Sequence, residues 1–479
     1  MTSVARKLFL LLLALLMIST SFSACQSPDE DPEETEDTTA ALNQDALGSV
    51  LPETDYNTYE FMILTHDEQG YYAEEYLGEP INDAVFQRNT YLEDKYNIAI
   101  ATQTTTAKGY LAKVEAVSMA DMKDQYDLLT PGVAYASQLA TKDYLLEFGE
   151  IPVIDLEQSY WWKYVLQDTS IAGENYFAIN DCNLKSFTEM SVIMFNKQLA
   201  SDKFDESFYQ LVKDGEWTME TYLKYSKDAY SDATGNGVSL DDTFGTTGNS
   251  YMTDCFIYGW DMRYIEKNDE DMPYLNIMEN HVFLEAFEDV TALFHEESTL
   301  YGEFQTGTNA RQTVPQTTFQ EGRCLFWVES LGWASTMRSS EMEYGLLPMP
   351  KLNRRQTEYT NCIHAWNSTS VCVMRASSDL TRTGTVLEDM ALSSQHYVRP
   401  AYYDIVLEGR VLRDEESFDM LPYILNNVHV DLAMVFRESG FTFVDDLRTI
   451  ATKKYNATTR MERYINAYKT VLDRLVNEE

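Results

Sequence analysis

Histidine and cysteine are both scarce, six of each in 479 residues. The histidines (His66, His281, His295, His364, His396, His429) are scattered, and no HExxH, GxSxG or P-loop pattern occurs, so catalysis finds little support in the motifs. The cysteines (Cys25, Cys182, Cys255, Cys324, Cys362, Cys372) form no CxxC pair. So sparse a set in a long chain excludes a disulfide framework. Cys362 and Cys372 either pair or stay buried as free thiols. Bases are few as well, 36 Lys and Arg against 77 Asp and Glu, for a net charge of −41. That balance repels a phosphate backbone and excludes nucleic acid as partner. It also excludes polybasic attraction to anionic lipid. The apolar run Leu8–Ile18 falls short of the ~20 residues that span a bilayer.

That run follows Arg6 and Lys7 and precedes small residues, which is the layout of a secretory signal. Phe22-Ser23-Ala24-Cys25 resembles a bacterial lipobox, which implies cleavage before Cys25 and a diacylglycerol on its thiol. The alternative is an ordinary signal peptide with a chance cysteine. Next comes QSPDEDPEETEDTT, seven acids with no base between them. Such a run repels itself, cannot bury apolar surface and reads as an extended tether. Beyond it about 435 residues remain, enough for two lobes. Tyrosine is frequent at 32 residues, beside 7 Trp. These rings join an apolar face to a polar tip and suit sugars or peptides, although most must serve the core.

YEFMILTH (Tyr59–His66), NIAIAT and YDLLTPG (Tyr126–Gly132) read as strands. Helical patterns follow each of them, the third running Val133–Phe148. This alternation predicts an α/β lobe with a mostly parallel sheet, whose ligands bind beyond the carboxyl ends of strands. Farther on, SFTEMSVIMFNKQLA reads as a strand entering a helix. EWTMETYLKYSKDAY reads as a helix capped by Thr218, and RCLFWVES, YGLLPMP and NSTSVCVMRAS as strands. A helix closes the chain.

Several stretches resemble family 1 of the bacterial extracellular solute-binding proteins, the group that includes maltose-binding protein. They are YDLLTPGVAYASQLATKDYLLEFGEIPVIDLEQSYWW, MSVIMFNKQLA with Trp217–Thr221, FQEGRCLFWVESLGWAS and YGLLPMPK. The resemblance covers most of residues 58–470 and implies an α/β, two-lobed periplasmic-binding-protein-like fold, with hinge-crossing strands and an interlobe cleft. The implied division is 1–24 signal peptide, 25–55 lipidated Cys and tether, 56–182 plus 366–425 lobe 1, and 183–365 plus 426–479 lobe 2. Crossings are expected near Asp181–Lys185, Cys362–Asn367 and Leu421–Asn427.

The resemblance also orders the candidate ligand residues. Trp333 falls where the family places a stacking Trp, and Tyr251 and Trp260 lie in its cleft-lining stretch. Trp366 stands at a proposed crossing. His66 and Asp67 follow the first strand, Asp181 and Asn183 sit at the first crossing, and Glu329 with Ser330 precedes Trp333. Core packing or solvated loops are the competing roles. Asp232–Gly245 partly matches a Ca²⁺ loop through Asp232, Thr234, Asn236 and Gly237, but position 12 is Thr243 rather than an acid; a Gly-rich turn is the alternative. Together these features imply a monomeric, lipid-anchored receptor on the outer face of the cell membrane. It would bind a carbohydrate, expected to be an oligosaccharide, in the interlobe cleft and deliver it to ABC permease subunits, with no cofactor and no catalytic residue. A surface glycoside hydrolase, a peptide or polyamine receptor of the same fold, and an adhesin stand as rivals.

Overall fold

The computed structural model describes residues 51–301, 310–403, 412, 414–453 and 455–477. Cys25, with its expected lipid, and the acidic run after it lie outside these residues. Among the described residues no helix is long and apolar enough to cross a membrane.

The first lobe is built on a parallel sheet of order β2-β1-β3, with β1 Tyr59–Thr65, β2 Ile98–Thr104 and β3 Leu128–Thr130. Helices α1 (Pro80–Tyr96) and α2 (Gly109–Met119) make the crossovers, and α3 (Val133–Ala140) follows β3. Pro80 opens α1, where a missing N–H costs nothing. Asn97 closes it in the left-handed region, at φ 47°, and β2 starts at the next residue. Parallel strands joined this way end on the same side, which places their carboxyl ends together.

Helix α3 stops at Ala140, short of the predicted Phe148. Asp143 turns at φ 58°, and Leu145 and Leu146 then pair with the extended segment Thr369–Met374. That segment, expected as one strand, makes only isolated bridges. Its partners Gly132, Leu129, Ala178 and Leu145 come from different parts of the lobe, so no continuous ladder forms.

The second lobe carries a mixed five-stranded sheet of order β10-β4-β9-β5-β8. Its strands are β4 (Ser191–Asn196), β5 (Phe244–Gly248), β8 (Thr299–Tyr301), β9 (Cys324–Ser330) and β10 (Tyr344–Leu347); β6 (Glu266–Lys267) and β7 (Pro273–Tyr274) form a separate hairpin. Every residue of β4, β5, β9 and β10 is buried, as expected of strands covered on both faces. The longer helices of this lobe are α4 (Met219–Ala229), α5 (Met252–Gly259), α6 (His281–Phe294) and α7 (Ala310–Gln320). Thr218 caps α4 by accepting the Thr221 N–H at 3.4 Å. Helix α4 lies so close to β5 that a Cβ on Gly245 would fall 1.8 Å from the Ser226 carbonyl oxygen.

The chain passes between the lobes more than once. It leaves the first lobe after Ala178 to enter β4 and returns between β11 (Asn361–Cys362) and Thr369. Helix α8 (Leu380–Pro400) packs on α1. The grouping of Asp414–Leu425 with the first lobe is corrected by the packing. Asp414 pairs with Lys197 at 3.0 Å, and Ser417 Oγ accepts the Leu346 N–H of β10 at 3.1 Å. β12 (Val428–His429) then pairs in parallel with β11. Leu432–Ser439 lies on α3, where Ser137 Oγ donates to the Val435 carbonyl at 2.8 Å. Gly440, at φ 99°, reverses the chain into α9 (Phe443–Thr452) on the second lobe; α10 (Ala457–Asn477) is the last helix. The φ of Gly440 is one that a side chain resists.

Burial pushes the carboxyls of Asp431 and Glu388 up to about 7. Asp431 accepts the N–H groups of Tyr264 and Ala433, and Glu388 accepts from Tyr160 and Trp161. Their unfolded pKa lies near ~4, so between pH ~4 and ~7 the native state binds more protons than the unfolded one. The contribution of these groups is therefore most favourable at low pH and declines through that window. Asp431→Asn and Glu388→Gln are expected to flatten the fall in melting temperature between pH 5 and 8; variants that keep the wild-type slope would remove these groups as its source.

Candidate functional site

A cavity of about 450 Å³ lies between the lobes, within the range of small-molecule sites. β5 and β9 run parallel, so both end at it. Asn249 and Tyr251 follow β5, while Glu329 and Ser330 end β9 and lead to Trp333. Glu189, His364, Trp366 and Asn367 come from the crossing segments. The first lobe contributes Lys108 before α2 and Tyr135 in α3, and Arg437, Glu438, Asp445 and Arg448 form the remaining wall.

The structure thus brings Trp333, Tyr251, Trp366 and Glu329 together, and places the other expected residues elsewhere. Trp260 is 3% exposed and packs on Phe256. His66 sits edge-on to Tyr110, and burial lowers its pKa. The Asp67 carboxylate accepts the Gln69 N–H in a loop. Asp181 is buried, bonded to Trp162 Nε1 and to Arg399, each at 3.3 Å; burial pushes its carboxyl up to about 6. Asn183 donates to Tyr71 at 2.5 Å and to Thr369 at 3.2 Å. Asp181 and Asn183 therefore brace the first crossing rather than face the cavity.

Two amide–carboxylate pairs face the cavity. Asn249 Nδ2 donates to Glu329 Oε2 at 2.9 Å, and Glu329 Oε1 accepts the Ser330 N–H at 3.1 Å. Asn367 Nδ2 donates to Glu189 Oε2 at 3.1 Å, while Lys185 stands 3.5 Å from Oε1. Burial raises the Glu189 pKa. Trp333, half-buried, meets Trp327 edge-on at 6.1 Å.

Trp366 is held differently. Its Nε1 donates to Glu438 at 2.9 Å. The guanidinium groups of Arg437 and Arg448 lie over its ring at 4.0 and 5.3 Å. Arg437 pairs with Asp445 at 2.8 Å and Glu438 at 2.6 Å. Arg448 pairs with the fully buried Asp254 at 2.5 Å and also lies 5.5 Å over the Tyr251 ring.

Of the residues the sequence did not single out, Asn249 and Asn367 each lie within two positions of one that it did. The Arg437–Arg448 set carried no signal, because its charges read as an ordinary helix surface. All five cysteines among the described residues are free and buried, Cys362 and Cys372 included.

The Asp232 loop is closed by its own hydrogen bonds. Both Asp232 oxygens accept loop N–H groups, from Thr234, Gly235 and Gly237. Thr243, at position 12, pairs through its backbone with Ser231. Among the described residues no group of three or more His, Cys, Asp or Glu gathers to hold a metal ion.

No protein-family model matches the sequence, and no curated protein sequence does. Solved structures match in fold. The chain is similar to the sugar-binding protein MalE from the phytopathogen Xanthomonas citri, with TM-score 0.59, 12% identity, and 87% and 98% of the two chains covered. It is similar to the cyclic alpha-maltosyl-1,6-maltose binding protein from Arthrobacter globiformis, with TM-score 0.58, 13% identity and coverage of 87% and 100%. The ABC substrate-binding protein Lmo0181 from Listeria monocytogenes, in complex with cycloalternan, matches with TM-score 0.55, 12% identity and coverage of 87% and 99%. The likeness establishes the two-lobed fold.

Proposed function

We propose that this chain is a solute-binding receptor of an ABC importer that captures a carbohydrate in the interlobe cleft and delivers it to permease subunits. The observation that carries this reading is the half-buried Trp333 beside the Asn249–Glu329 and Asn367–Glu189 pairs. A sugar lays its C–H face on such a ring. Its hydroxyls both donate and accept, which an amide beside a carboxylate matches. The sugar-binding names of the fold's relatives support the same class. Binding would stabilise a closed arrangement of the lobes, and no bond would be made or broken. A lipid on Cys25 and the acidic tether would hold the receptor, as a monomer, at the outer face of the membrane.

A thermal-shift screen against saccharides, peptides and polyamines tests the reading. A saccharide at 100 times its Kd is expected to stabilise the protein by about 2.7 kcal/mol. A shift with a peptide or polyamine and with no sugar would replace carbohydrate by that class. Hydrolysis of a chromogenic glycoside, lost in Glu329→Gln, would replace the receptor by a hydrolase.

A further inference from the structure

Resting on the saccharide reading, we infer that the cleft takes a sugar of one or two rings rather than a longer glycan, and that Arg437 is the residue that stops it. Each bare ring face along a cleft offers stacking area for one more sugar. Among the described residues, the Tyr and Trp side chains that line this cavity are Tyr135, Tyr251, Trp333 and Trp366. Tyr251 is 4% exposed, with His364 edge-on at 4.6 Å and Arg448 over its ring. Trp366 lies under Arg437 and Arg448 and tilts against His364 at 5.0 Å. These two rings are partners of the protein's own cations. Arg437 is not easily moved aside, because Asp445 holds its Nε and Glu438 its Nη1, and charge-assisted bonds to two carboxylates fix the guanidinium plane.

Trp333 and Tyr135 remain, one on each lobe. The Asn249–Glu329 pair stands with Trp333 at the ends of β5 and β9, the Asn367–Glu189 pair lies on the crossing segments, and Lys108 joins Tyr135 on the first lobe. One ring therefore sits on Trp333 beside Glu329 and Asn249, next to the crossing pair. A second reaches Tyr135 and Lys108, and the chain ends against Arg437.

The experiment is calorimetric titration of the full chain with α-glucans, β-glucans, xylans, galactans and mannans of one to six rings. In whichever series binds, affinity is expected to level off at two rings and then stay within about threefold. An affinity that climbs about tenfold from two rings to four overturns the short site while leaving the saccharide reading intact. No binding in any series, by protein whose circular dichroism is folded, overturns that reading and this inference with it. Arg437→Ala removes the nearer of the two cations from the Trp366 ring, and the ratio of four-ring to two-ring affinity is expected to rise about fivefold. An unchanged ratio in folded variant removes Arg437 as the stop. If this variant does not fold, the wild-type length series still decides.

Discussion

Replacing Asp254 by Ala is expected to lower the unfolding free energy by about 3–5 kcal/mol, read from urea titration at pH 7. Asp254 is fully buried in α5, and its partner Arg448 comes from α9. The Nε···Oδ2 distance is 2.5 Å, and Tyr264 donates to the other carboxylate oxygen at 2.8 Å. Removing the carboxylate leaves a guanidinium inside the lobe with only Asp445, at 3.8 Å, as counter-charge. The loss is large against a typical stability of about 5–15 kcal/mol. The surface pair Lys142–Glu115, at 2.8 Å, is the control; breaking it should leave the urea midpoint nearly unchanged, since water screens it. Saccharide affinity should fall with Asp254→Ala as well, because Arg448 lies over Tyr251 and Trp366 at the cavity wall. Unfolding at the wild-type urea midpoint would show that the two helices do not depend on this pair.

Trp333→Ala should weaken saccharide binding by at least about tenfold, or ~1.4 kcal/mol, in calorimetric titration. The side chain meets Trp327 at 6.1 Å, packs in part against the core and also lines the cavity. The truncation removes that cavity-lining surface, and circular dichroism of the variant checks that the core contact is not what is lost. Trp333→Phe keeps a face and should recover part of the affinity. Glu329→Gln keeps the shape beside it but loses the charge that accepts Asn249 and the Ser330 N–H. Full affinity in Trp333→Ala would remove Trp333 from the site.

Much of the fold was legible in the chain because it rests on local patterns. β1 begins within Tyr59–His66, Thr218 caps its helix, and α1 and β2 meet at Asn97, all governed by neighbours in sequence. Local patterns failed where partners were distant. Leu145 and Leu146 fit the predicted helix by spacing, but Met374 and Val373 draw them into extended pairing. Asp414–Leu425 fitted the first lobe by position, but Tyr209 and Lys197 hold it on the second.

At the site, the sequence by itself determined which chemistry was on offer: rings and amides near strand ends, few histidines, a strong excess of acid. The resemblance singled out Trp333 and Glu329, which lie just after and just within the end of β9 and both line the cavity. Which rings stay bare was decided only by tertiary structure. Trp333 and Trp366 look alike as residues in a sequence. What separates them is Arg437 and Arg448, about seventy and eighty positions after Trp366; the packing of Leu432–Ser439 on α3 brings the first onto the Trp366 ring, and α9, beyond the turn at Gly440, brings the second. A cation covers a ring through space, and that distance is set by the fold of the whole chain.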